Sequence, residues 1–271
     1  MSRRRLLLVL TVPLLAAALV AATSGYLTFV RAPANNPDEF LSNGPRPQTD
    51  TVVVAAGSSS THASASGDYV RMLRESLGDQ GYEFVNAGSN GATSTDVLDS
   101  LDEIVEIDPD VVTILIGGND VRDFGGAAGV GKYRKNMTRI LDRLDAETSA
   151  EVALISPQPS GEDPENPNNR ALAQYIDVLT DLADTRDATY IPLNEELADL
   201  IAAEGRPPRP DGFSFGAAYA SGFRHHILRQ SWDEIAEDNG YAVYTDGLHL
   251  SDTGARTAAD LVADWLSERE R

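Results

Sequence analysis

The sequence predicts one three-layer α/β/α domain on a mainly parallel sheet, and three observations carry that prediction. Short, almost continuous apolar runs recur after Thr49, amphipathic stretches separate them, and polar Gly/Ser/Asn clusters fall at the ends of the runs. Strands covered on both faces read as unbroken apolar runs, and their alternation with helices marks βαβ units. The length of 271 residues suits one such domain with a full core and an N-terminal extension.

The extension comes first. "MSRRRLLLVLTVPLLAAALVAATSGYLTFVR" opens with Arg3, Arg4 and Arg5 and then stays apolar to Val30. About 25 such residues can span a hydrocarbon core of about 30 Å, and the arginines keep the start of the chain in the cytoplasm. Residues 1–30 are therefore a signal anchor kept in the membrane or a signal peptide cleaved after a small residue such as Ala22. "SRRRLL" also resembles the start of a twin-arginine export signal. Residues 31–48, rich in Pro and Asn with no apolar period, are read as a linker, and 49–271 as the working domain, placed outside the cytoplasm.

Within that domain Val52–Ala56 is the first strand, followed by a helix over Asp68–Leu77 with Tyr69, Val70, Leu73 and Leu77 on one face. "YEFVNAG" (82–88) is the second strand, and a helix runs through Val97, Leu98, Leu101 and Ile104. "DVVTILIGG" (110–118) is the third, a helix covers 132–145, and "EVALIS" (151–156) is the fourth. A helix over 168–184 leads to the short strand "TYIPL" (189–193), and helices around 194–203 and 224–238 follow. Ser251 is the N-cap expected for a last helix whose buried stripe is Leu261, Val262, Trp265 and Leu266.

Composition narrows the partners. Net charge is −20, with Lys132 and Lys135 the only lysines, so phosphate backbones and anionic surfaces are repelled and nucleic acid is excluded as a partner. The membrane is expected to be met only through the N-terminal segment. Excess acid with few lysines points to a salt-loving source, where a Debye length of about 3 Å at molar salt screens the self-repulsion; a high-GC organism with an acidic surface is the alternative. With no cysteine, disulfides, thiolate metal sites and a thiol nucleophile are ruled out.

In an open α/β sheet ligands bind beyond the carboxyl ends of the strands. There the first strand ends in "GSSST" (57–61), the second in "NAGSNGATS" (86–94) and the third in "GGND" (117–120), while "DGLHLSDTGA" (246–255) precedes the last helix. Taken in this order, the four blocks resemble the SGNH (GDSL-type) hydrolases over residues 50 to 265. The register Gly57-Ser58-Ser59-Ser60-Thr61 makes Ser59 the candidate nucleophile, with Ser58 where that family usually carries Asp. Asn119 of Gly117-Gly118-Asn119-Asp120 and Gly91 supply the other motif residues, and Asp246-Gly247-Leu248-His249 matches the last block.

Chemistry and resemblance agree. A serine hydroxyl needs a base, His249, and a base three residues after a carboxylate on one turn can be oriented by it, here Asp246. The resemblance implies a flavodoxin-like sheet and a serine esterase needing no cofactor or metal. Its oxyanion hole is formed by the Ser59 and Gly91 amides and the Asn119 side chain. Its substrate is a small-molecule, glycan or lipid ester. Two other readings stand beside it: an acyltransferase using the same residues, and a binding module on a decayed hydrolase scaffold.

Further residues are weighed individually. His62, next to the nucleophile block, and Phe213, Phe215 and Tyr219 of the irregular stretch 206–223 are candidates for substrate contact, the latter as a lid. Asp120 is expected to brace the Asn119 turn, and His225-His226 to pack rather than bind metal. Asn136-Met137-Thr138 is a glycosylation sequon.

Overall fold

A computed structural model describes residues 3–209 and 212–269, with the backbone alone for 3–12. Its five strands, β1 (Thr51–Gly57), β2 (Tyr82–Gly88), β3 (Val111–Leu115), β4 (Glu151–Ile155) and β5 (Thr189–Ile191), are all parallel, in the order β2-β1-β3-β4-β5. This is the expected doubly wound sheet. From β1 the chain crosses to β2 on one side and then to β3 on the other, so a crevice opens beyond the ends of β1 and β3.

Helices cover both faces. Before the sheet lie α1 (Arg3–Phe29) and α2 (Pro37–Asn43); α3 (Ser59–His62) and α4 (Tyr69–Leu77) join β1 to β2. Next come α5 (Ser94–Asp99), α6 (Leu101–Ile107), α7 (Gly118–Asp123), α8 (Val130–Glu147) and α9 (Pro167–Thr185). The chain closes with α10 (Leu193–Glu204), α11 (Phe215–His226), α12 (Trp232–Asn239) and α13 (Asp252–Arg269). Side chains alternate along β1: Val54 and Ala56 pack with α5, α6, α8 and α9, whereas Val53 and Ala55 pack with α4, α10 and α13. Tyr69, Val70, Leu73 and Leu77 of α4 are buried as expected. In α13 Val262 and Leu266 are fully buried, while Leu261 and Trp265 are partly covered. Caps hold the helix starts: Asp68 accepts from Arg71 N at 2.8 Å, and Ser251 Oγ from Gly254 N at 3.4 Å.

Four features depart from the sequence reading. The helix expected through Val97–Ile104 breaks at Ser100 into α5 and α6. The stretch 206–223, expected to be irregular, is helical from Phe215, and the helix expected at 224–238 divides into the end of α11 and α12. Pro210 and Asp211 of that stretch lie outside the described residues. The segment read as a linker follows the edge of the sheet: Asn86 N donates to Asn35 O at 2.9 Å, Arg74 donates to Ala34 O at 2.7 Å, and Phe40 is buried in the core. The sequon asparagine is buried, its amide nitrogen held by Ser94 Oγ and Thr95 Oγ1, both at 3.0 Å.

On the described side chains, no helix is long and apolar enough to cross a membrane. The side chains of Arg3, Arg4 and Arg5 and of the first apolar residues of the expected span lie outside the description.

Candidate active site

Ser59 opens α3, a single turn directly after β1. Ser58 is its N-cap: its carbonyl accepts Thr61 N–H at 3.1 Å and His62 N–H at 2.9 Å, and its hydroxyl makes no capping bond. The turn therefore closes through the backbone without the aspartate expected at 58. It closes tightly. A Cβ on Gly57 would stand 2.1 Å from Thr61 Oγ1, and one on Gly88 would stand 2.3 Å from His62 N, so both strand ends must be glycine for α3 to sit there. Asn86 Nδ2 donates to Thr61 O at 2.7 Å, tying α3 to β2.

Asn119 lies in the first turn of α7, immediately beyond β3, and is 7% exposed. Its Nδ2 donates to Ala92 O at 2.8 Å, and its Oδ1 accepts from Arg122 Nη2. One amide proton is left for another acceptor. Asp120, fully buried, accepts from Ser94 N at 2.9 and 3.1 Å and from Ser94 Oγ at 2.5 Å. Burial pushes its carboxyl above the usual range, opposed by the Ser94 bonds. Asp120 thus braces α7 against α5, the role expected from the sequence. Gly91, in the loop before α5, is exposed and has φ +74, a backbone angle that favours glycine.

The pair beyond them is compact. His249 Nδ1 lies 2.8 Å from Asp246 Oδ2, while Asp246 Oδ1 accepts Leu248 N–H at 3.0 Å and His249 N–H at 2.9 Å. Asp246 is 3% exposed and His249 4%. Burial alone would raise the Asp246 carboxyl; the charge of His249 and the hydrogen bonds outweigh it and hold the group below the usual carboxylate range. With Nδ1 bonded to a carboxylate, Nε2 is left as the basic nitrogen. The loop itself is fixed from outside: Glu162 Oε1 accepts Ala242 N–H at 2.7 Å and Val243 N–H at 2.9 Å.

Ser59, Asn119 and Leu248 of the Asp246–His249 loop meet at one cavity of about 30 Å³, bordered also by Ser58, Gly118 and Gln158, while the Asp246 and His249 side chains do not line it. Leu115, Ile116, Val121 and Leu172 form its apolar wall. Ser59 makes no hydrogen bond to His249 among the described residues; catalytic bonds of this kind are commonly open without substrate. Gly91 is not in the cavity wall.

The four expected contact residues divide. Phe213 presents its ring edge-on to His249, with centroids 5.5 Å apart. His62 bonds Ser64 Oγ through Nδ1 at 2.8 Å and does not border the cavity. Phe215 is 77% exposed and packs edge-on against Phe213 and Phe29. Tyr219 donates to Ala21 O of α1 at 2.8 Å. His225 stacks on Trp232 at 4.0 Å, and the described residues contain no cluster of His, Asp or Glu able to hold a metal.

Sequence reasoning missed two residues. Gln158 Nε2 donates to Ser60 Oγ at 2.5 Å and to Leu248 O at 3.4 Å, joining the Ser59 turn to the His249 loop. Arg122 holds Asn119 Oδ1 and lies over the Phe213 ring at 5.8 Å. Gln158 follows a predicted strand end, which was the available signal. Arg122 follows the Gly-Gly-Asn-Asp block by two residues and reaches Asn119 one helical turn back, while its contact with Phe213 depends on a segment some ninety positions away.

A doubly wound sheet with a serine at the end of β1 and a buried Asp-His pair before the last helix defines an ester-hydrolysing serine hydrolase. The chain belongs to the GDSL-like lipase/acylhydrolase family, whose model matches residues 53–257. Among solved structures it is similar to an acetyl xylan esterase, AlAXEase, at 22% identity and a TM-score of 0.58, over 79% of this chain and 98% of that one. An acetylxylan esterase from Geobacillus stearothermophilus is 16% identical with a TM-score of 0.57, covering 80% of this chain and 94% of its own. A lipase/acylhydrolase from Enterococcus faecalis is 20% identical with a TM-score of 0.54, covering 81% and 96%. At these identities the likeness concerns the fold. No curated protein sequence matches the chain.

Proposed function

We propose that the protein is an exported esterase that removes acetyl groups from a carbohydrate, with Ser59 as nucleophile, His249 as base and Asp246 as its orienting partner. Ser59 Oγ attacks the ester carbonyl while His249 Nε2 takes its proton. His249 then returns that proton to the leaving alcohol, and water releases acetate from Ser59 by the same steps in reverse. The Ser59 and Gly91 amides and the free Asn119 amide proton stabilise the oxyanion; losing one such donor costs about 10²–10³ in kcat.

The observation that carries the acetyl assignment is the cavity. A single water needs about 10–15 Å³ of such space, so about 30 Å³ beside Ser59 and Asn119 takes a group of roughly two heavy atoms. The acetylxylan esterases among its structural neighbours agree with a small acyl group on a sugar. The apolar run behind Arg3–Arg5 supports export, and the charge of −20 supports function in concentrated salt.

The test is hydrolysis of p-nitrophenyl esters from acetyl to octanoyl and of acetylated xylo-oligosaccharides, at low and molar salt, with Ser59→Ala alongside. Activity confined to acetyl and propionyl esters and abolished by Ser59→Ala is expected. A preference for octanoyl would overturn the acetyl assignment, and an active Ser59→Ala would overturn the nucleophile.

A further inference from the structure

The N-terminal helix is built into the domain. Ser24 and Thr28 of α1 are 0% and 2% exposed, and Ala218 and Ser221 of α11 are 0% and 1%. A Cβ on Gly222 would stand 2.1 Å from Thr28 Oγ1, so the two backbones meet through small residues. Tyr219 donates to Ala21 O at 2.8 Å, and Asn90 Nδ2 donates to Phe29 O at 3.0 Å. From this junction a chain of rings leads inward: Phe29 to Phe215 at 6.5 Å, Phe215 to Phe213 at 5.5 Å, and Phe213 to His249 at 5.5 Å. Cleavage after Ala22 would cut through the contact itself.

The outside of the junction is apolar. Every large apolar side chain exposed among the described residues, except Leu41 and Leu200, lies on α1, on α11 or within two residues of their ends. Leu14, Leu15 and Leu19 are 68–70% exposed, Phe215 77% and Leu228 59%. In a chain of net charge −20, two arginines stand at the ends of this patch: Arg31 just after α1 and Arg229 directly after exposed Leu228 beyond α11. Apolar side chains bordered by arginines and aromatic rings form an interfacial pattern that fits lipid and its headgroups.

Length points to the same occupant. Leu6–Val30 carries no charged residue. The part of α1 before the docked turns, Leu6–Val20, extends about 22 Å at 1.5 Å per residue, short of a hydrocarbon core of about 30 Å. The docked turns must then enter the interfacial layer, taking Phe215 with them.

We propose that α1 stays with the mature chain and that the α1–α11 junction is a lipid-docking surface, which holds Phe213 and the His249 loop it packs against near the face of a bilayer. The catalytic meaning of that position rests on the esterase reading; the docking does not.

The natural absence of cysteine allows single labels. Full-length Phe215→Cys, Leu228→Cys and, as a reference on α10, Leu200→Cys would each carry an environment-sensitive fluorophore in phosphatidylcholine–phosphatidylglycerol vesicles containing nitroxide-labelled lipid. All three sites are exposed, so the substitutions spare the core. Loss of fluorescence at 215 and 228 with none at 200 is expected, together with an intact mass of the exported protein that still includes α1. Labels at 215 and 228 as unquenched as that at 200, or a mature mass lacking α1, would overturn the proposal. Neither reading uses catalysis, so failure of the esterase assay would leave this result standing on its own.

Discussion

Asp246→Asn changes a single group at the centre of the site while keeping its shape. The wild-type Oδ1 accepts two backbone N–H groups, at 3.0 and 2.9 Å, and Oδ2 faces His249 Nδ1 at 2.8 Å. In the asparagine variant the carbonyl oxygen must stay on the two backbone donors, because a rotated amide would set NH2 against both. The NH2 then stands where Oδ2 was, and Nδ1 must accept from it. The ring proton moves to Nε2, the nitrogen that has to take the Ser59 proton. A fixed wrong tautomer in the same arrangement costs about 10⁴ in kcat, which at 1.36 kcal/mol per tenfold is about 5 kcal/mol of barrier. The assay is steady-state p-nitrophenyl acetate hydrolysis across pH, with a thermal melt to show that the fold persists. KM should change little, since neither atom touches the acyl group. A folded variant retaining more than a tenth of the wild-type kcat would refute the reasoning, because Asp246 would then not set the tautomer.

Other outcomes follow from the same contacts. Arg122→Gln should lower kcat about tenfold with KM nearly unchanged, because a loosened Asn119 amide acts on the oxyanion and hardly on ground-state binding; a KM effect alone would make Arg122 a substrate contact. Leu172→Ala should shift the ester preference toward butyryl at a stability cost of about 2–5 kcal/mol, read from the chain-length panel and a urea titration. Below neutrality stability should fall. His226 is lowered to about 4 from 6.5, chiefly by burial, so its neutral form is favoured by folding and the contribution is complete above 6.5 and lost as pH falls toward 4. Asp246 adds a second loss at lower pH, as its depressed carboxyl becomes protonated. Denaturation at pH 7 and pH 5 measures the first, and a His226→Gln variant should flatten that slope.

What the sequence determined by itself is what neighbouring residues encode. The apolar runs of β1, β2 and β3, the helical stripe of Tyr69, Val70, Leu73 and Leu77, and the cap at Ser251 are patterns within a few positions, and each became the element they predict. Ser59, Asn119 and the Asp246-His249 pair were legible for a related reason: each sits in a short block at a strand or helix end, where the backbone itself aims the side chain. Tertiary structure decided the rest. The stretch 215–223 reads as irregular because its glycines and alanines form no stripe; it is helical where small residues let α1 approach closely, and α1 lies about two hundred positions earlier. The buried state of Asn136, the packing of Arg122 over Phe213, and the bridge from Gln158 to Ser60 and Leu248 join segments far apart in the chain. Such contacts depend on which crossovers meet at the sheet edge, a choice made by the packing of the whole chain and by no local period or cap.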